Sequence, residues 1–215
     1  VLISENNHSA KAVAQLLDSE KTFLATEARF VVNHPAVHFA FVNNKYLDVN
    51  SDMNILEFKE MNHYKFTEIS YILSRITCKN LTESGMANVN ISLFDEDAKC
   101  LSNVPGIDND FKDLGKEDYI QYMIDEERKY LNTKPIGTIV GKNSKLYIKG
   151  IDRIYSGETK GVTVVTVELS DSLLRKIKET VNKEIIILYE DEVKLSTLEM
   201  GKDSFKLKPD INHNG

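Results

Sequence analysis

No stretch of this chain approaches the roughly 20 consecutive apolar residues that a helix needs to cross a bilayer, so none of its segments reads as a membrane span. There is no signal peptide either, and the chain opens at Val1 rather than Met. That opening reads as an excised or processed fragment, so the lack of a span says little about a full-length protein. Basic charge is in short supply: 27 Lys and Arg stand against 33 Asp and Glu, a net charge of −6. Nucleic acid is thereby excluded as the main partner, because neutralising phosphates takes a basic surface. Local basic pockets remain compatible with this balance. Cysteine is scarce too. Cys78 and Cys100 are the only two, with no CxxC pair and no metal-ligand spacing. In an oxidising compartment they could form a disulfide; otherwise they are two separate small core thiols. His34 and His38 are four apart, a helical metal spacing, but Pro35 lies between them and interrupts the helix. No metal and no cofactor is expected.

Catalytic signatures are missing as well. The chain holds no GxGxxG, Walker loop, HExxH or GxSxG. The segment "GTIVGKNSK" has a Gly-Lys pair, but the first Gly is too close to it and Asn143 follows the Lys. It reads as a turn between strands. Two acidic clusters, Asp95-Glu96-Asp97 and Asp108-Asn109-Asp110, match no EF-hand loop and read as solvated turn carboxylates rather than calcium ligands. The chain is not expected to be an enzyme.

What is present is length, hydrophobicity and an internal repeat. The 215 residues are 41% hydrophobic, enough for one large domain or for one domain and part of another. "ISLFDEDAKCLS" (91–102) returns as "IILYEDEVKLST" (186–197). Each phrase has an apolar run, an acidic tripeptide and a second apolar run around a Lys, the pattern of a β-hairpin. Around the hairpins the periodicity predicts a helix over 9–32, a short helix opening at Pro35, and a second long helix over 52–78. A helix over 116–132 follows the first hairpin. Strands are predicted at 136–140, 145–151 and 162–169, with turns so short that they form an antiparallel meander. Ser170 caps a helix running to about Asn182, the second hairpin spans 184–198, and the tail from Gly201 is polar and weakly anchored.

This order resembles the Cache family, the PAS-like sensor domains that bacterial membrane receptors display outside the cell. "NVNISLFDEDAKCLSN" looks like the family's first hairpin, a strand ending in Asp followed by a tight turn, although the family usually has Gly where Ala98 stands. "LYIKGIDRIYSGETKGVTVVTVELSDSLL" looks like its closing hairpin and the short helix after it. The resemblance covers about 9–174. It implies an α+β fold: a long N-terminal helix packed on an antiparallel PAS-like sheet, with a C-terminal helix plus hairpin extension. On this reading, residues 1–169 form the sensor module. Residues 170–215 are an extension or the start of a second module, and the repeated hairpin would open that module unless the repeat is chance.

In a Cache sheet one face is covered by the long helix and the other forms the ligand pocket. Strand alternation puts Lys145, Tyr147, Lys149 and Arg153 on one face and Leu146, Ile148 and Ile154 on the other. A face of cations and Tyr suits a small carboxylate; the alternative is an exposed strand face on which Lys is harmless. Tyr119, Tyr122 and Arg128, from the helix ahead of the meander, would cover such a pocket. The family's amino-acid-binding signature includes a Trp, and this chain has none. The expected function is the extracytoplasmic sensing domain of a membrane-anchored receptor, with a small-molecule ligand and a homodimer through the N-terminal helix. The alternative is a structural or protein-interaction domain with no small-molecule ligand.

Overall fold

In a computed structural model of the chain, the described residues are 2–35, 37, 41, 87–104, 117–124, 134–142, 145–155, 159–189 and 192–198. The helix α1 (Leu2–Val32) contains neither Gly nor Pro. It starts well before Ser9 because helical backbone continues through a breaker-free segment beyond the point where its apolar stripe ends. Leu24, Ala28, Val31 and Val32 are buried, and Val13, Leu16, Leu17 and Phe23 pack beside them. The helix closes at Asn33, whose N–H donates to the Arg29 carbonyl (3.0 Å), just ahead of Pro35. Pro35, Val37 and Phe41 have helical backbone. The second long helix predicted over 52–78, Cys78 with it, and the polar tail lie outside the described residues. Cys100 is a thiol, half-buried beside Phe94.

The fold is mixed α+β. The strands β1 (Ala87–Asp95), β2 (Cys100–Val104), β3 (Ile136–Lys142), β4 (Lys145–Tyr155) and β5 (Thr159–Glu168) make one antiparallel sheet in the order β2-β1-β5-β4-β3. The first and last strands therefore meet in the middle, and the chain between β2 and β3 must pass from one edge to the other. The helix α2 (Asp118–Ile124) belongs to that crossing segment and packs on β4 and β5. The rest of the helix predicted over 116–132 lies outside the described residues.

With α1 on one face and α2 on the other, β4 is buried from Leu146 to Ile154. Leu146, Ile148 and Ile154 join the α1 side together with Ile91, Leu93, Val165 and Val167. Tyr147, Ile151, Val162, Val164 and Phe94 join Ile120 and Met123 of α2 on the other. A Cβ at Gly150 would overlap the Leu24 carbonyl, and one at Gly137 the Lys21 carbonyl, so the α1 backbone rests directly on the sheet. Arg29 of α1 then grips Asp152 of β4 with two hydrogen bonds, Nε to Oδ2 at 2.5 Å and Nη2 to Oδ1 at 3.2 Å. Asp152 also accepts the Arg153 N–H (2.9 Å).

The helix α3 (Asp171–Val181) has the caps its sequence promises. Ser170 Oγ accepts from the Leu173 N–H, and Asn182 ends the helix in the left-handed region at φ 51°. Leu173, Leu174 and Ile177 bury it against the α1-side core. The strands β6 (Ile186–Tyr189) and β7 (Glu192–Ser196) form a separate two-stranded sheet. Ile187, Tyr189 and Leu195 pack inward, while Ile186 and Leu188 face out.

The first hairpin turns on Asp95. Its Oδ1 accepts the N–H groups of Asp97 (3.0 Å) and Lys99 (2.8 Å), an Asx-type turn. Ala98 sits there at φ 61°, a conformation that suits glycine. Replacing Ala98→Gly is expected to stabilise the protein by about 0.5–1 kcal/mol in chemical denaturation. Gly150→Ala is expected to cost about 1–3 kcal/mol, because the added methyl pushes α1 off β4. Equal stability of that variant and the parent would contradict the seating of the helix.

Candidate functional site

The candidate site lies on the sheet face under α2. Register pairs Asn90 of β1 with Thr166 of β5, Thr166 with Lys149 of β4, and Lys149 with Thr138 of β3. These four residues form a polar row across four strands. Asn90, Thr166 and Lys149 are each about 1% exposed, so the row is enclosed rather than wet. The next row, Ser92, Val164, Ile151 and Ile136, is mostly apolar, and Phe94, Val162 and Arg153 follow it.

Ser92 Oγ, in the next row, donates to Asn90 Oδ1 at 3.0 Å. The Lys149 ammonium donates to Tyr119 Oη (2.8 Å) from α2, and its Nζ stands 5.3 Å from the centre of that ring. Thr166 Oγ1, also buried, makes no hydrogen bond among the described residues. A buried hydroxyl left so costs about 1–3 kcal/mol until something bonds to it.

Burial dominates the electrostatics. It lowers the Lys149 pKa from the ordinary 10.5 to about 8; Glu117 opposes the shift and Lys142 adds to it. Burial raises the Tyr119 phenol pKa, helped by Glu117, so its hydroxyl keeps its proton throughout the physiological range. Lys149 and Tyr119 thus set an ammonium and a protonated hydroxyl side by side in a buried position.

The structure places four of the seven residues that the sequence marks on this face, with Lys145 exposed at the start of β4. Tyr119 and Lys149 touch, and Tyr147 and Arg153 are buried on the same face of β4, two residues before and four residues after Lys149. Tyr122 is 42% exposed. Arg128 lies outside the described residues. Asn90, Ser92 and Thr166 were not marked in advance. A signal for them exists in "NVNISLF", where Asn90 and Ser92 alternate with Val89, Ile91 and Leu93. In a strand covered on both faces such alternation means buried polar groups, not a solvent face.

Two open clefts flank α1 on the other side of the molecule, one of about 440 Å³ against α3 and one of about 330 Å³ beside Pro135 and Gly137. Among the described residues no helix is long and apolar enough to cross a membrane, and no group of three or more His, Cys, Asp or Glu is placed to hold a metal. No protein-family model matches the chain, and no curated protein sequence matches it.

The lowered Lys149 pKa fixes a pH dependence. The unfolded chain keeps its proton up to about 10.5 and the folded chain loses it near 8, so the unfolded state binds more protons between those values. Lys149 therefore adds to stability as pH rises through that window, and burdens the fold fully below it. The gap corresponds to about 3 kcal/mol. Lys149→Met is expected to be more stable than the parent at pH 7, with the two converging toward pH 10.5. Parallel stability curves in urea denaturation from pH 7 to 10.5 would show that Lys149 is not desolvated.

Proposed function

We propose that this chain is the extracytoplasmic ligand-sensing domain of a bacterial membrane receptor of the Cache type. It binds a small molecule, a carboxylate, on the α2-covered face of the sheet. The observation that carries this reading is the buried Lys149 ammonium facing Tyr119 between sheet and α2, while the opposite face seats the long helix. That is the division of faces that the Cache resemblance implies. The ligand's carboxylate compensates Lys149, with the Thr166 hydroxyl and Asn90 amide beside it and Arg153 further along the face.

The same strand supplies the relay. Lys149 and Arg153 face the ligand, while Gly150 and Asp152, their immediate neighbours, hold α1 through Leu24 and Arg29. A ligand that prefers one position of β4 selects one position of α1, a population shift rather than a new structure. The helix carries it toward the membrane, where the anchoring segments and the output module (a chemoreceptor, histidine kinase or cyclase) lie beyond this chain. A pair of copies joined side by side along α1 fits this relay. Phe30 stands 48% exposed on the helix.

The rival reading is a protein-interaction domain without a small-molecule ligand. It is favoured by the outward apolar side chains Ile186, Leu188 and Leu198 of the second hairpin. A thermal-shift screen against carboxylates separates the two. A carboxylate present at about 100 times its Kd is expected to raise Tm by about 5–10 °C. Lys149→Met and Arg153→Ala are expected to abolish the response. No response to any carboxylate favours the interaction domain, and an undiminished response in both variants removes these residues from the site.

A further inference from the structure

Lys149 is placed unlike Lys145 of the same strand. Lys145, at the start of the same strand, is exposed and reaches Glu168 at 3.2 Å. Lys149 is 1% exposed and has the phenol oxygen of Tyr119, itself packed against the cluster of Ile120, Met123 and Ile151, 2.8 Å from its nitrogen. A desolvated amine beside a protonated hydroxyl has the two parts that carbonyl addition needs, a nucleophile and a proton donor.

We infer that Lys149 and Tyr119 form a carbonyl-capture site, in which the Lys149 amine makes a reversible imine with an aldehyde or 2-oxo acid held under α2. This rests on the reading of that face as a ligand site and specifies the class of ligand. The amine lone pair attacks the carbonyl carbon and the C–N bond forms. The carbonyl π pair moves to oxygen, which takes a proton, and the nitrogen gives one up. The resulting carbinolamine loses its hydroxyl as water once that oxygen is protonated again, while the nitrogen pair closes the C=N bond and the nitrogen sheds its remaining proton. Amine and carbonyl compound become imine and water, with no oxidant or reductant. Tyr119 passes protons between nitrogen and oxygen, and burial keeps its phenol protonated for that role. The carboxylate of an oxo acid would accept from Thr166 and Asn90, neighbours of Lys149 in the polar row. With a pKa of about 8, roughly a tenth of the molecules carry the neutral amine at pH 7, against about three in ten thousand for an ordinary lysine.

The test uses glyoxylate as the probe, with sodium cyanoborohydride to reduce any imine to a carboxymethyl amine, and peptide mass spectrometry to place the adduct. At pH 7 the folded protein is expected to label at Lys149 at least about tenfold faster than at Lys145 or Lys99, an advantage that vanishes in denaturant. Tyr119→Phe is expected to slow Lys149 labelling severalfold and leave Lys145 unchanged; Lys149→Arg takes no adduct at that position. Labelling of Lys149 no faster than Lys145 in the folded protein overturns the proposal, and an unchanged rate in Tyr119→Phe overturns the part given to the phenol. If glyoxylate or another carboxylate raises Tm without an adduct, the ligand face stands and the imine falls. If there is neither adduct nor stabilisation, both fall.

Discussion

Burial of β4 on both faces is the constraint on which the rest of the molecule depends. On one side the α1 backbone lies against Gly150 and Gly137, where no side chain intervenes. On the other, α2 sets Ile120 and Met123 over Tyr147 and Ile151. Because strand side chains alternate, these contacts divide β4 into two sets with different work. Even positions hold the helix; odd positions carry the polar row and Arg153. Neither set can shift without the other, since both hang on one backbone.

The ion pair of Arg29 and Asp152 shows how the arrangement is kept specific. Asp152 is only 2% exposed, and a carboxylate that far from water needs partners. Arg29 meets it with two hydrogen bonds and the Arg153 N–H adds another. Apolar packing alone would let α1 slide along the sheet; a paired buried charge ties it to one register. Lys149 is the complementary case. Its ammonium donates to Tyr119 Oη, and its burial, opposed by the charge of Glu117, appears as a lowered pKa.

The two similar phrases illustrate how context overrides sequence. Both fold as hairpins with an irregularity in their pairing, between Leu93 and Phe94 in the first and between Ile187 and Leu188 in the second. Yet Ile91 and Leu93 are fully buried, whereas Ile186 is 45% and Leu188 52% exposed. The first hairpin has β5 along its open edge, and its Ile91 and Leu93 belong to the core that α1 also joins. Among the described residues the second pairs only with itself, and it touches the body through Ile187, Tyr189 and Leu195.

Local chemistry was legible in the chain. Apolar periodicity marked most of α1, Ser170 and Asn182 bracketed α3, and the turn-type residues in 141–144 and 156–161 marked the breaks between three strands. Alternation in "KLYIKGIDRIY" already put Tyr147, Lys149 and Arg153 on one face. What that face meets was not legible, because an exposed strand and a strand buried on both sides can share one pattern. The polar row needs Asn90 opposite Thr166, residues 76 apart in sequence by their numbers, and their pairing is decided by the register of β1 on β5. Likewise nothing local to Arg29 names Asp152 as its partner. Periods of 3.6 and 2 are properties of a segment, so the sequence determines them alone; register, burial and the pKa values that follow from burial arise only when distant segments exclude water from one another.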